Sequence, residues 1–309
     1  MICRYFDSVE KYLDFYGLEA DGHKFVPFKS NGFELAGQLF KPKEYKATVV
    51  ILHGYLGHYG TFGKYTKHLL ETGFAVAAYD LPGHGLSSGE PAVIDDFSQY
   101  SDSLGDFLKI VRSHLNGPYH IIGHSSGAAV IVDYLLEGRP ASPDLRLPRG
   151  EAEGLASRGG EDCFDKVVLA APLVRCWLWS MTKIGYKIYH PFAKNIFRVF
   201  WNLSSDKDYF RFVKYRDPLQ GRKVSLNWVK ALFKWNEKIN NAQKINKPIL
   251  VIQGTNDATV AWKYNLKFIQ SKFSRAEIEL VENAQHELFN ESAYLRKKVF
   301  SLIRSYLEN

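Results

Sequence analysis

Residues 121 to 128 read Ile-Ile-Gly-His-Ser-Ser-Gly-Ala and place Ser125 in a Gly-x-Ser-x-Gly pattern running from Gly123 to Gly127. A serine hydroxyl attacks a carbonyl only when a base takes its proton, and that base needs an acid to orient it. The serine must also stand clear of its neighbours. A sharp strand-to-helix turn achieves this, with glycines beside it because side chains there would collide with the adjoining strand and helix. The flanks fit: Tyr119–Ile122 reads as a short strand and Ala128–Leu136 as an apolar helix. In chains with such a turn the acid and then the histidine follow the serine. After His190 the only histidine is His286, and after Asp217 the only aspartate is Asp257. Asp257 comes just after the strand-like run Ile249–Gln253, and His286 just after Glu277–Glu282. Both fall on loops at the carboxyl ends of strands, where open α/β sheets hold their ligands. The expected roles are Ser125 as nucleophile, His286 as base and Asp257 as the orienting acid.

A tetrahedral intermediate needs donors aimed at its oxyanion. The backbone N–H of Ser126, directly after the nucleophile, is the first candidate. The second is the N–H of Tyr55, in the turn His53-Gly54-Tyr55-Leu56-Gly57 that follows the strand-like run Thr48–His53.

The elements that must position these groups show as alternation. Strand candidates are His23–Phe28, Leu35–Lys41, Thr48–His53, Ala75–Asp80, His120–Ile122, Lys166–Ala170, Ile249–Gln253 and Glu277–Glu282. From Thr48 onward the runs are mostly continuous in apolar residues, as strands buried on both faces of a parallel sheet are. Helical stretches lie between them, near Thr61–Thr72, Phe97–His114, Ala128–Glu137, Trp262–Ser271 and Ala293–Glu308. The alternation predicts an α/β fold with a doubly wound, mostly parallel sheet of about eight strands. The first two strands, separated by Lys29–Gly32, read as an antiparallel hairpin at one edge. Two segments break the rhythm. Residues 138–165, rich in Gly, Pro and charge, read as a long mobile loop. Residues 172–246 have helical character without alternating strands and read as a helical cap inserted into a core made of residues 1–171 and 247–309.

The combined pattern resembles the monoacylglycerol lipase and lysophospholipase branch of the α/β-hydrolases over roughly residues 20 to 309. Beyond the serine turn and the acid–histidine order, three features carry the resemblance: His53-Gly54 with His58 four residues on, the run Asp80-Leu81-Pro82-Gly83-His84-Gly85-Leu86-Ser87-Ser88-Gly89, and the insertion after Ala171-Pro172-Leu173. It implies an α/β-hydrolase fold and a serine ester hydrolase acting through an acyl-enzyme, with monoacylglycerol or lysophospholipid as substrate. The Asp80–Gly89 run is expected to be a structural turn near the site. The chain departs from the family at Ser126, where methionine is usual, at Ala128, where glycine is usual, and at Ala261, where proline is frequent; its 138–165 loop is also longer. These departures leave the triad in place and bear on the substrate.

Composition narrows the setting. The 309 residues are 46% hydrophobic and 15% aromatic, enough for one large domain, and no apolar run approaches the roughly 20 residues that span a bilayer. Three cysteines (Cys3, Cys163, Cys176) without metal-ligand spacing, and an N-terminus without the order of a secretory signal, predict reduced thiols in a cytoplasmic protein; a secreted form trimmed of its signal is the alternative. No metal or cofactor is expected. The net charge of +7 is uneven: residues 172–246 hold fifteen Lys/Arg against four Asp/Glu, a net of +11. The same segment carries Trp177, Trp179, Trp201, Trp228 and Trp235, five of the six tryptophans. Trp177, Met181, Ile184 and Ile188 recur at helical spacing. A basic, aromatic helical segment suits peripheral contact with anionic membrane, or lines an acyl-chain tunnel while attracting phosphate or a fatty-acid carboxylate; the alternative is that the aromatics bury the cap against the core and the cations form a solvated face. His58, Trp177 and Met181 are the candidate pocket residues. Nucleic acid is not an expected partner. The rival readings are a short-acyl carboxylesterase, thioesterase or aminopeptidase on the same fold, and a non-catalytic binding protein.

Overall fold

The computed structural model describes residues 5–18, 21–138, 163–200 and 203–309. Most of the expected 138–165 loop, together with Trp201 and Cys3, lies outside the described residues. In chain order the elements are α1 (Val9–Tyr16), β1 (His23–Ser30), β2 (Phe33–Phe40), β3 (Ala47–Leu52), α2 (Gly63–Glu71), β4 (Phe74–Tyr79), α3 (Ser98–His114), β5 (Tyr119–His124), α4 (Ser126–Leu136) and β6 (Lys166–Ala170). Then follow α5 (Trp179–Tyr189), β7 (Asn195–Phe197), α6 (Lys207–Tyr215), β8 (Lys223–Ser225), α7 (Leu226–Asn240), β9 (Ile245–Gly254), α8 (Trp262–Lys272), β10 (Phe273–Val281) and α9 (Ala293–Glu308).

Eight strands form one sheet in the order β1-β2-β4-β3-β5-β6-β9-β10. β1 pairs antiparallel with β2 across the Asn31-Gly32 turn, and β2 pairs antiparallel with β4. Every pairing from β4 to β10 is parallel. The fully buried β3 shows why the sheet is sandwiched. Val50 and Leu52 join the cluster under α3, α4, α7 and α8, while Val49 and Ile51 join the cluster under α1, α2 and α9. Side chains alternate across a strand, so only a sheet covered on both faces buries such a run completely. β3 and β5 are neighbours, yet the connection after β3 passes to one face and that after β5 to the other. This is the topological switch point at which doubly wound sheets open a crevice.

Three parts of the sequence reading need correction. Residues 172–246 are not purely helical: β7 and β8 form a short antiparallel pair, with Asn195 opposite Ser225 and Phe197 opposite Lys223. Three-residue strands carry too little pattern to be read from sequence. The helix α1 was also missed; Ser8 caps it by accepting from Lys11 N–H, and Gly17 ends it in the left-handed conformation. β10 is longer than expected and, as an edge strand, is buried only at its ends, Phe273 and Val281, with half-buried Ala276 and Ile278 between exposed residues.

The insertion is fastened through its tryptophans. Trp235 stacks on Phe97 with ring centroids 4.5 Å apart and donates its indole N–H to the buried Asp133 at 3.0 Å. Trp228 stacks on Tyr55 at 3.6 Å, and the Tyr55 hydroxyl accepts from Ser225 N–H and donates to the Ala92 carbonyl, both at 3.0 Å. α7 thus packs in the same cluster as α3 and α4. α5, by contrast, contains no buried residue.

Candidate active site

Ser125 follows β5 and forms the turn into α4, with φ 54° and ψ −114°. A non-glycine residue at positive φ stores on the order of 1–3 kcal/mol of strain, so the surroundings must hold it there. They do: Ser125 N–H donates to the Ala170 carbonyl at 2.9 Å, and its carbonyl accepts from Leu173 and Ala129 N–H, each at 3.1 Å. The flanking glycines are required by space. A Cβ on Gly127 would lie 2.4 Å from the Leu52 carbonyl oxygen, and one on Gly123 would lie 2.6 Å from Ala128 N.

His286 Nε2 lies 3.0 Å from Ser125 Oγ, and His286 Nδ1 lies 2.8 Å from Asp257 Oδ2. Asp257 is itself oriented. Its Oδ1 accepts from Thr259 N–H at 2.8 Å and Val260 N–H at 3.2 Å, and its Oδ2 accepts from Gln253 Nε2 at 3.0 Å. All three side chains are buried. Burial alone would push the Asp257 carboxyl up, but the facing imidazole and these hydrogen bonds hold it below the ordinary carboxylate value. Burial likewise works against a charged His286, and the charge and hydrogen bond of Asp257 outweigh it, raising the imidazole above its ordinary value. With Nδ1–H donating to Asp257, Nε2 is left as the acceptor facing the serine hydroxyl. That is the tautomer a general base needs.

Residues not singled out from the sequence support this line. His124, inside the serine turn, donates from Nε2 to the His286 carbonyl at 2.9 Å. Burial pushes His124 below the ordinary imidazole value, so it stays a neutral strut. Gln253 holds Asp257 from the end of β9. Asp80 accepts Tyr59 N–H at 2.7 Å and Leu86 N–H at 2.8 Å, so the Asp80–Gly89 run closes on its own carboxylate, a structural turn beside the site.

Ser126 opens α4, where a backbone N–H has no intrahelical acceptor. Tyr55 stands in the turn after β3, next to β5 at the switch point. Gly54 suits the close approach there, since a Cβ would lie 3.1 Å from both Ser125 Cβ and His124 Nδ1, tighter than an ordinary contact. Above the serine is a cavity of about 520 Å³ whose lining includes Ser125, His286, Tyr55 and all three candidate pocket residues, His58, Trp177 and Met181. Much of the remaining wall is apolar, including Leu173, Leu178, Val199, Val229 and Leu232, while Arg198, Tyr209, Gln220 and Glu287 contribute polar groups. His58 reaches across to the insertion: its Nε2 donates to Asp217 Oδ2 at 2.9 Å, and the Tyr16 hydroxyl of α1 donates to Asp217 Oδ1 at 2.7 Å. Among the described residues, no group of three or more His, Cys, Asp or Glu is arranged to hold a metal ion.

The chain is similar to known proteins along most of its length. The family model for serine aminopeptidase S33 matches residues 43–146 and 154–293. A monoglyceride lipase homolog of Monkeypox virus is 27% identical over 277 residues, which cover 87% of this chain and 92% of the relative. Phospholipase YtpA of Bacillus subtilis is 24% identical over 276 residues, covering 85% and 95%. Among solved structures, a soluble variant of monoglyceride lipase from Saccharomyces cerevisiae, in complex with a substrate analog, superposes with a TM-score of 0.74 at 18% identity. That match covers 94% of this chain and 96% of the yeast chain. The chain belongs to the serine aminopeptidase S33 family of α/β-hydrolases, on its monoglyceride lipase-like branch, and is a serine ester hydrolase.

Proposed function

We propose that the protein hydrolyses single-acyl lipid esters, a monoacylglycerol or a lysophospholipid, through an acyl-enzyme on Ser125. The observation that carries this reading is the hydrogen-bonded line Asp257–His286–Ser125 at the floor of a largely apolar cavity. His286 takes the Ser125 proton as Oγ attacks the ester carbonyl, and Asp257 stabilises the imidazolium that forms. The N–H groups of Tyr55 and Ser126 receive the oxyanion. His286 then protonates the departing alcohol and activates the water that releases the fatty acid.

Residues 172–246 act as a cap over this cavity. Met181, Phe192 and Phe197 are 64, 88 and 80% exposed, Trp177, Ile184 and Ile188 are exposed as well, and so are Lys183, Lys187, Lys194 and Lys223 of the same insertion; we read these side chains as one basic, apolar face. Trp177 and Met181 belong both to this face and to the cavity wall. We place the face against an anionic membrane surface, from which a single-chain lipid passes directly to Ser125. The three cysteines, an odd count without metal-ligand spacing, are read as reduced thiols in a cytoplasmic setting.

The family description points to a second reading, cleavage of a peptide amide. An aminopeptidase needs an acid to hold the substrate's amino group. The insertion is poor in acids, and the cavity acid Glu287 already accepts the Tyr209 hydroxyl at 3.2 Å. A panel of monoacylglycerols, lysophospholipids, aryl esters and matched amides over a range of chain lengths tests the proposal. Highest kcat/KM on a long single-acyl ester is expected. A preference for acetyl or butyryl esters, or for the amide, would contradict it.

A further inference from the structure

Three buried polar atoms in the wall of the Ser125 cavity, His58 Nδ1, Gln220 Oε1 and Trp228 Nε1, meet no hydrogen-bonding group among the described residues, and one turn of the insertion carries Gln220 and holds His58. His58 is fully buried, and beyond its bond to Asp217 its Nδ1 meets no hydrogen-bonding group among the described residues. Gln220 is 7% exposed, and its Oε1 is likewise without a partner. Both side chains line the cavity that contains Ser125 and His286. The turn Asp217–Gly221 fixes their relation. Asp217 grips His58 at one end, and at the other Gly221 N–H donates to the Leu56 carbonyl at 2.8 Å while Gly221 O accepts from Arg198 Nη1 at 3.3 Å. A Cβ on Gly221 would lie 2.7 Å from Leu56 Cδ2, so the turn is pressed against the Tyr55–Gly57 segment that supplies the proposed oxyanion donor.

An unpaired buried polar atom costs folding free energy that a ligand recovers by pairing with it. The apolar wall, with Trp177, Leu178 and Met181, suits the acyl chain, which leaves the polar wall for the alcohol half of the ester. We propose that Gln220 and His58 together bind a hydroxyl group on that alcohol, which makes Gln220 a specificity-determining residue. The inference rests on the ester-hydrolase reading and deepens it. A hydroxyl both donates and accepts. It gives its proton to Gln220 Oε1 and takes one from His58 Nδ1–H, the form that the Asp217 carboxylate favours. A phosphate oxygen only accepts, so it pairs with His58 and faces Gln220 Oε1 acceptor to acceptor. A plain alkyl group pairs with neither. Monoacylglycerols and lysophospholipids both carry a hydroxyl beside the ester, so the shared chemistry is that hydroxyl.

The test is a ratio of kcat/KM values for 2-hydroxyethyl butyrate over ethyl butyrate, esters that differ by one oxygen, measured for the wild type and for Gln220→Leu. A ratio taken on a single preparation is insensitive to the fraction of folded enzyme. Sites that hydrogen-bond a substrate hydroxyl reject the analogue lacking it strongly. The expected ratio is at least about tenfold in the wild type and falls towards one in the variant. An unchanged ratio overturns the proposal. So does a variant that loses rate selectively on 2-phosphoethyl butyrate. The same ratio for 1-lauroylglycerol and for 1-lauroyl lysophosphatidylcholine, each over ethyl laurate, identifies the headgroup that bears the hydroxyl; no fall for either again overturns it. A wild type inactive on every ester would instead contradict the ester-hydrolase reading itself.

Discussion

At the scale of single residues, the site is an argument about protons and space. His286 is held above the ordinary imidazole value and must be neutral to act as base. The rate of aryl-ester hydrolysis should therefore rise with pH through one ionisation placed above that ordinary value. A pH–rate profile of kcat/KM reads it directly; a flat profile, or an ionisation below the ordinary value, contradicts the assignment. Asp257→Asn removes the group that fixes the tautomer, and kcat should fall by about four orders of magnitude. Gly127→Ala should destabilise the fold by about 3 kcal/mol, read from the denaturant midpoint, because its Cβ would meet the backbone of β3. As candidates, Ser125 was legible from its place between two glycines, and Asp257 and His286 because each is the sole residue of its type in its stretch; each of the three follows a strand. Gln253, His124 and Gln220 were not. Their roles depend on which backbone or cavity atom a neutral side chain meets after folding, and no spacing encodes that.

At the scale of elements, the sheet was legible because continuous β-branched runs can be buried only between two helical layers. The joints of the insertion were not, because β7, β8 and the turn at Asp217 are too short for periodicity. The joint that most concerns the site is His58–Asp217–Tyr16, which ties the turn after β3 to the insertion and to α1. Burial alone would raise Asp217, yet His58 and the hydrogen bonds lower it; burial alone would lower His58, yet Asp217 raises it. The sign of the pH dependence follows. Stability from the raised His58 is full below the ordinary imidazole value and is lost as pH rises through its folded value. Stability from the depressed Asp217 is full above the ordinary carboxylate value and is lost as pH falls through its folded value. Asp217→Asn should therefore lower the melting temperature most between those limits, near pH 5–6, by the equivalent of about 3 kcal/mol. The difference should shrink at pH 9. Equal destabilisation at both pH values would show that the pair is not ionised.

At the scale of the whole molecule, charge and aromatic content divide the chain in a way composition alone suggested but could not locate. Trp228 and Trp235 are structural anchors, whereas Trp177, Phe192 and Phe197 face outward. Composition treats all five rings alike; packing against Tyr55 and Phe97 separates them. Binding to vesicles containing anionic lipid should weaken as salt rises, and Phe192→Asp with Phe197→Asp should weaken it further, by more than about tenfold, at equal folded content. Vesicle co-sedimentation would show this, and binding indifferent to both salt and substitution would place the interface elsewhere. All of this serves a reaction centred on one oxygen atom, so the most direct measurement is covalent. The protein should be treated with a fluorophosphonate probe and its peptides examined by mass spectrometry, with Ser125→Ala alongside. A single adduct on Ser125, absent from the variant together with aryl-ester hydrolysis, is the expected result. An adduct on another residue, or undiminished hydrolysis by Ser125→Ala, would contradict the account.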